Sequence, residues 1–400
     1  SEIGAAIAAL YNEIAAQTGG ARANAPAGLN EKATAAIKAA AKDLLANKGT
    51  SLVVSGSNLV AEQLLINQIN LLLGNYGKTI TFEHASKQRQ GDERDVARLI
   101  DEMKGGQVDV LILMGANPSF DLPQAEAFNA ALEQVPLRIS MNYHVDETTG
   151  RCHWAAPDHH ILESWGDVEP KSGVYSLMQP TINPLFDTRQ AGLSLLTWAK
   201  SAKISGGDQP YHDFIQQLWQ ENMFPHQSEY SVFQAFWDHT LHNGVFSAGG
   251  NAEPAYNAVD VSGLQVRKPA GEGMELSLFE TVNMGAGQYS NNPWLQEMPD
   301  PVSRCVWGNY LSVPVSFDGW KTIEGFAGLK DGDLVNLTSG EATLEVPVIQ
   351  QFGQMDDTFG IALGYGRTAA GRCGNDIGVN VQSLVQIDNG LFQYYRSGIQ

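Results

Sequence analysis

Four stretches bring together residue types that can bind or transform a ligand. Gly115-Ala116-Asn117-Pro118 lies just past an apolar strand pattern, Val108–Met114. Ligands of open α/β sheets sit at the carboxyl ends of the strands. There Gly115 permits a tight turn, and the Asn117 amide can both donate and accept hydrogen bonds. Gly364-Tyr365-Gly366-Arg367 follows a strand pattern in the second half of the chain. A glycine pair beside an arginine could grip a phosphate or pterin group, but the sequence alone favours the corner of a barrel. Gly56-Ser57-Asn58 reads as a strand-to-helix turn whose N–H groups could face a phosphate, but the full G-x-G-x-x-G spacing is missing. Cys152, His153, His159 and His160 are ligand types for zinc or iron. Their spacing fits no closed site, and Pro157-Asp158 puts them in a loop.

Other chemistries are unsupported. The three cysteines, Cys152, Cys305 and Cys373, are widely separated, with no C-x-x-C. An iron–sulfur cluster usually needs four thiolates and a structural zinc a comparable set, so no metal is expected to bind within this chain. There is no G-x-S-x-G elbow and no G-x-x-x-x-G-K-[ST] loop, and no catalytic residue is assigned. The net charge of −19 argues against nucleic acid and against an anionic lipid surface as partners. No stretch reaches the roughly 18 apolar residues of a membrane span. The most apolar run, Leu64 to Leu73, is interrupted by Asn67, Gln68 and Asn70. The chain starts at Ser1 without a basic-then-apolar leader, as expected of a processed or excised polypeptide.

The elements that must position these loops change character along the chain. Ile3, Ile7, Leu10, Tyr11 and Ile14 have helical spacing, and Asn30 caps a second predicted helix with Ile37, Leu44 and Leu45. Strands are predicted at Ser51–Ser55, Thr79–Phe82, Val108–Met114 and Leu137–Met141. Helices between them carry Leu65 and Ile69, then Ile100 and Met103, then Phe128 and Leu132. Such alternation implies a Rossmann-like parallel sheet with helices on both faces, over residues 1–205. Residues 206–260 read as a helical connection rich in aromatics, with Trp219, Phe233, Phe236 and Trp237. These side chains need cover from the two flanking domains or from a partner, and Trp294 within Asn292–Pro301 needs it too. Gly249–Pro254 reads as a linker. From about residue 261 to 400 the period becomes two: Met274, Leu276, Leu278; Val335, Leu337; Leu344, Val346, Val348; then Phe359–Leu363 and Gly378–Val381. A small β-barrel is the expected closure, because closing a sheet removes its exposed edges.

The order of the motifs resembles the molybdopterin oxidoreductase superfamily. Gly115-Ala116-Asn117-Pro118 is followed by Asp146-Glu147-Thr148-Thr149, Ala155-Ala156-Pro157 and Leu162-Glu163-Ser164-Trp165-Gly166-Asp167. Three later pieces, Gln179–Arg189, Asn292–Pro301 and Leu363–Arg367, look like the large iron–sulfur subunit of alternative complex III, a quinol-oxidising respiratory complex. The likeness spans roughly residues 50–400. It implies a double-psi β-barrel of the molybdopterin-dinucleotide-binding type after the α/β region. It also implies that Gly115, Asn117, Gly364, Gly366 and Arg367 are vestigial pterin-type loops holding no cofactor. Cys152-His153-Trp154 departs from the Ala-Asp-Leu usual there. The upstream metal-ligand region and the downstream ferredoxin-like region with its iron–sulfur clusters lie outside this sequence. The resemblance therefore implies a non-catalytic scaffold on the periplasmic side of a bacterial inner membrane. Its expected partners are that ferredoxin-like domain and the other subunits of a membrane-bound complex, without a membrane span of its own. The alternatives are the cofactor-embracing half of an active molybdopterin enzyme and, more remotely, a nucleotide-binding module.

Overall fold

The computed structural model describes residues 2–268, 273–315, 328–340 and 342–399. Three helices open the chain: α1 (Ile3–Thr18), α2 (Glu31–Ala46) and α3 (Val60–Leu72). Asn30 caps α2 as expected, its side chain accepting from Ala33 N at 2.8 Å. Ile7, Tyr11 and Ile14 of α1 pack on Leu65, Ile66 and Ile69 of α3, with Val261 and Val266 closing the cluster. This helical unit has a core of its own, separate from the first sheet.

That sheet is small. After α4 (Glu93–Lys104) come β1 (Val110–Leu113), α5 (Pro118–Asp121), α6 (Ala125–Leu132), β2 (Leu137–Ser140) and β3 (Trp154–Ala155). The strands run parallel in the order β1-β2-β3. Leu111 and Leu113 turn inward against Ile100, Met103, Phe128 and Leu132 of α4 and α6. The opposite face is uncovered: Val110, Ile112, Met114 and Trp154 are exposed. The expected double coverage of the sheet is thus corrected to coverage on one face.

Three expected strands are absent, and in each a side chain occupies backbone groups that a neighbouring strand would need. Val53 donates to Asn70 Oδ1 at 3.0 Å and accepts from Asn70 Nδ2 at 2.7 Å, so Ser51–Ser55 stays extended but unladdered. Thr79 N and Ile80 N donate to Asn75 O at 2.9 and 3.1 Å, and Phe82 and Glu83 donate to the Glu253 carboxylate at 2.8 and 3.2 Å, which leaves Thr79–Phe82 with only a bridge between Tyr76 and Ile80. Val379 donates to Asn309 Oδ1 at 2.9 Å and accepts from Asn309 Nδ2 at 3.0 Å, so Gly378–Val381 is also not a strand. The Gly249–Pro254 stretch has no regular structure, yet it is pinned to the Phe82 segment through Glu253 and through Asn251 N, which donates to Glu83 O.

The aromatic segment builds its own core. β4 (Gly166–Lys171), β5 (Val174–Met178) and β6 (Val245–Ser247) form an antiparallel sheet. α7 (Ala191–Trp198), α8 (Pro210–Asn222) and α9 (Phe233–Asn243) lie between β5 and β6 in the chain. Trp219, Phe236 and Trp237 are buried together with Leu177, against Tyr175 and Phe246 of the sheet. Trp219 Nε1 donates to Asp167 Oδ2 at 2.9 Å, which satisfies the indole as it is buried.

The remaining elements are β7 (Met274–Phe279), α10 (Pro293–Glu297), β8 (Leu311–Val315), β9 (Leu334–Ser339), β10 (Ala342–Phe352), β11 (Thr358–Ala362), β12 (Gln386–Asp388), β13 (Leu391–Gln393) and β14 (Tyr395–Ile399). Six of them form a mixed sheet in the order β14-β7-β11-β8-β10-β9. The expected hairpin is β9–β10, with Leu344 opposite Leu337 and Val346 opposite Val335. The alternation of Leu276 and Leu278, Val346 and Val348, and Phe359 and Ile361 fills one core. The sheet curls until its edges approach: a Cβ on Gly340, at the hairpin tip, would lie 2.8 Å from Arg396 Nη2 of β14. Among the described residues no ladder joins β9 to β14, and the described strands form a curled mixed sheet, a half-barrel.

Asn309 is 3% exposed and also donates to Ala362 O at 2.8 Å. Replacing it by Leu should strand three backbone groups and destabilise the fold by about 1–3 kcal/mol. Urea unfolding at unchanged m-value would measure this.

Candidate functional site

The carboxyl ends of β1, β2 and β3 face the loops of the mixed sheet across an open cavity of about 900 Å³. Each strand end contributes one short polar segment: Gly115–Asn117 after β1, Asn142–His144 after β2, and Asp158 and His160 after β3. The other wall comes from residues 286–292 with Arg367 and Ala370.

Local sequence explains the first wall. Gly115 adopts φ 61°, turning the chain sharply after β1. Asn117 then precedes Pro118, the first residue of α5. Its Oδ1 accepts from Thr148 N at 3.1 Å and from Thr148 Oγ1 at 2.7 Å, which ties the turn to the Asp146-Glu147-Thr148-Thr149 segment. Asn142 Nδ2 spans Ala116 O at 2.9 Å and Asp146 Oδ2 at 2.8 Å. Asp146 Oδ1 accepts from Thr149 N at 2.7 Å.

The two walls meet at one ion pair. Arg367 donates from Nε to both Glu147 oxygens, at 2.9 and 3.0 Å, and from Nη2 to Oε2 at 2.8 Å. Its Nη1 donates to Gly287 O at 2.9 Å, and its guanidinium lies 4.8 Å from the centre of the Phe120 ring. Thr368 N and Ala369 N donate to Glu147 Oε1 at 2.8 and 2.9 Å, and Asn117 Nδ2 donates to Oε2 at 2.7 Å. The side chains are 8% exposed for Arg367 and 11% for Glu147. Burial opposes the Glu147 charge, but these donors outweigh it and hold the carboxyl down at about 2. Nearby Asp121 has the opposite balance: burial pushes it up to about 6 despite the attraction of Arg367. Burial likewise lowers the His144 imidazole and raises the Tyr143 phenol.

Of the five residues singled out in the sequence, Gly115, Asn117 and Arg367 line the cavity. Gly364 and Gly366 do not; they serve backbone packing. Gly364 has φ 87°, and a Cβ there would sit 2.6 Å from Gly285 O; one on Gly366 would sit 2.0 Å from Asn380 N. The histidine stretch is dispersed among separate tasks. His153 pairs with Arg138, His159 Nδ1 contacts Thr188 Oγ1 at 2.6 Å, and His160 caps the turn Ile161–Glu163. Among the described residues no cluster of three metal-ligating side chains forms. Asn58 of the first glycine turn donates to Phe392 O at 2.9 Å, away from the cavity. Sequence reasoning passed over Glu147 as a site residue and missed Asp121, Tyr143, His144, Tyr289 and Ser290. Glu147 had a signal, since it sits inside a motif already recognised. The others become neighbours only through the folding of distant loops.

Comparison with known structures gives the fold. The fold matches that of acetylene hydratase from Pelobacter acetylenicus, with a TM-score of 0.59 at 10% identity, covering 99% of this chain and 70% of that one. In sequence the chain is similar to the menaquinone reductase, molybdopterin-binding-like subunit of Nitratidesulfovibrio vulgaris (strain Hildenborough). That likeness is 27% identity over 286 residues, 69% of this chain. The chain spans 38% of the length of that relative. No protein-family profile matches it. These likenesses mark the chain as molybdopterin-oxidoreductase-like.

A molybdopterin brings a phosphate, and as a dinucleotide a pyrophosphate, so the cavity can be tested for fit. Arg367 is its one Lys or Arg among the described lining residues, and Glu147 already holds that charge. Asp121, Asp146, Asp158 and Glu163 add carboxylates to the wall. Asn142 Oδ1 and Ser290 Oγ are buried without a hydrogen-bond partner and offer only neutral groups. This lining does not fit a polyanionic tail, because the charges it presents have the wrong sign.

The two shifted carboxyls give opposite pH responses. Glu147, held below its ordinary 4.5, adds stability that is complete above that value and lost as pH falls toward about 2. Asp121, raised from 3.8 to about 6, loses stability as pH rises through that window, because the unfolded chain releases the proton first. Asp121→Asn should therefore stabilise the protein on the order of 1–3 kcal/mol at pH 7 and leave it nearly unchanged at about pH 3, below the unfolded value of 3.8. Chemical denaturation at the two pH values measures the difference; equal gains at both would refute the assignment.

Proposed function

We propose that this chain is a non-catalytic, molybdopterin-oxidoreductase-like region of the iron–sulfur electron-transfer subunit of a quinol oxidoreductase of the alternative complex III type. The observation that carries the reading is the cavity. In a molybdopterin-oxidoreductase-like fold, the one Lys or Arg among the described lining residues is committed to an internal carboxylate, beside the acidic Asp121, Asp146, Asp158 and Glu163. The proposed role is architectural: the region supports a cluster-bearing ferredoxin-like domain and packs against other subunits on the periplasmic side of the inner membrane. Iron–sulfur clusters belong to that neighbouring domain, and no cofactor is assigned to these residues. The relative's description as a subunit of menaquinone reductase supports a quinol-linked complex. No described helix is long and apolar enough to cross a membrane.

The uncovered face of the first sheet supports the packing role. Parallel sheets are normally buried on both faces. Here Val110 and Ile112 pair in register with Leu137 and Ile139, and Trp154 with Ile139, so they share one apolar surface. Trp154 is 67% exposed. Removing such residues from contact with water is worth roughly 1.5–3 kcal/mol for each large side chain.

The native complex, purified from membranes, tests the role. This chain should purify with iron–sulfur clusters and a membrane subunit, and molybdenum should be far below one atom per chain. Stoichiometric molybdenum with an extractable pterin would instead identify an active cofactor enzyme. Trp154→Glu should change the stability of the chain by no more than about 0.5 kcal/mol, yet weaken its retention in the complex. Unchanged retention would remove the sheet face from the interface.

A further inference from the structure

The groups around Glu147 have the composition of an anion receptor. Two backbone N–H groups, from Thr368 and Ala369, point at one oxygen; the Arg367 fork grips both, and the Asn117 amide donates to the second. Charge-assisted forks of this kind recognise carboxylates and phosphates. Several donors are also fixed by contacts that do not involve Glu147. Gly287 O accepts from Arg367 Nη1, Phe120 lies under the guanidinium, and Thr148 N and Oγ1 hold the Asn117 amide. The receptor spans both halves of the molecule: Glu147 follows β2, while Arg367, Thr368 and Ala369 follow β11.

We propose that Arg367, the Thr368 and Ala369 N–H groups and Asn117 form an oxyanion-binding site that the chain fills with its own Glu147 carboxylate. At this site an internal anion, rather than a bound one, bridges the two halves. A site of this kind takes a small carboxylate or a phosphate once the tethered one is removed. It also explains how a cavity whose lining opposes a polyanionic cofactor keeps its two walls together. The inference stands independently of the proposed place in a respiratory complex.

Glu147→Ala gives the direct test, because the heavy atoms it removes are those of one acetate ion. Thermal unfolding of the full chain would be followed at pH 7 and constant ionic strength, in chloride and with increasing acetate. The variant should melt roughly 5–10 °C below the wild type in chloride. Acetate should restore most of that loss saturably, while shifting neither the wild type nor the Glu147→Ala/Arg367→Ala double variant. An acetate response in the single variant no larger than in those two controls would overturn the proposal. If Glu147→Ala does not accumulate folded, its refolding yield replaces the melting temperature. A yield that rises with acetate, in the single but not the double variant, supports the site, and a yield indifferent to acetate refutes it.

Discussion

The constraint on which the rest of the structure depends is that Arg367 and Glu147 are both withdrawn from water. An isolated buried charge is prohibitively costly, and removing one partner of a buried pair leaves the other uncompensated. The loops on both sides must therefore hold their positions to better than a hydrogen-bond length. The turn at Gly115, the Asn117 amide, the Asp146–Thr149 segment and the Gly287 carbonyl each supply part of that restraint. The close backbone approaches at Gly364 and Gly366 bring the arginine loop to the correct depth. The Arg367–Glu147 pair, with Asn380 Nδ2 donating to Phe120 O, registers the α/β half against the mixed sheet, and Leu122 packs against both apolar cores.

The same contact decides how the cavity reads chemically. A fold can be shared by proteins with different chemistry, because function lives in the site. Here the fold is shared with acetylene hydratase at 10% identity, a level at which backbone geometry persists while side-chain chemistry need not. The cavity sits where open α/β sheets place ligands, at the strand ends. Its charged lining is nonetheless mostly acidic, and Asp121 is buried enough to favour its neutral form well above the ordinary carboxylate range.

Packing outside the site divides the molecule into several modest cores rather than one. The helical unit at the start, the three-stranded sheet with α4 and α6, the aromatic layer over β4–β6, and the curled sheet each bury their own residues. The aromatic layer is the most self-sufficient: Trp219, Trp237 and Phe236 are almost fully covered by partners within 90 residues of chain. The first sheet is the least so, with one face covered and the other apolar and open.

What the sequence determined by itself was everything governed by local period and local caps. The helices at Ile3, Val60, Glu93 and Phe233, the strands at Val110, Leu137 and Met274, and the hairpin at Leu334–Phe352 follow from spacing of apolar residues and from capping by residues such as Asn30. The order of motifs also carried the superfamily likeness. The aromatic segment was legible as needing cover, but not what covers it, since β4, β5 and β6 lie on either side of it in the chain. What only the tertiary structure decided was where polar side chains take over the role of a strand. Asn70 serves Val53, Glu253 serves Phe82, and Asn309 serves Val379, across separations of 17, 171 and 70 residues. An apolar run reads as a strand whether its backbone groups meet another strand or a side chain, so no local pattern distinguishes the two. The ion pair shows the same limit. Glu147 and Arg367 each stood within a recognised motif, but 220 residues separate them. Their partnership became visible only when folding brought both charges out of water, where each requires the other.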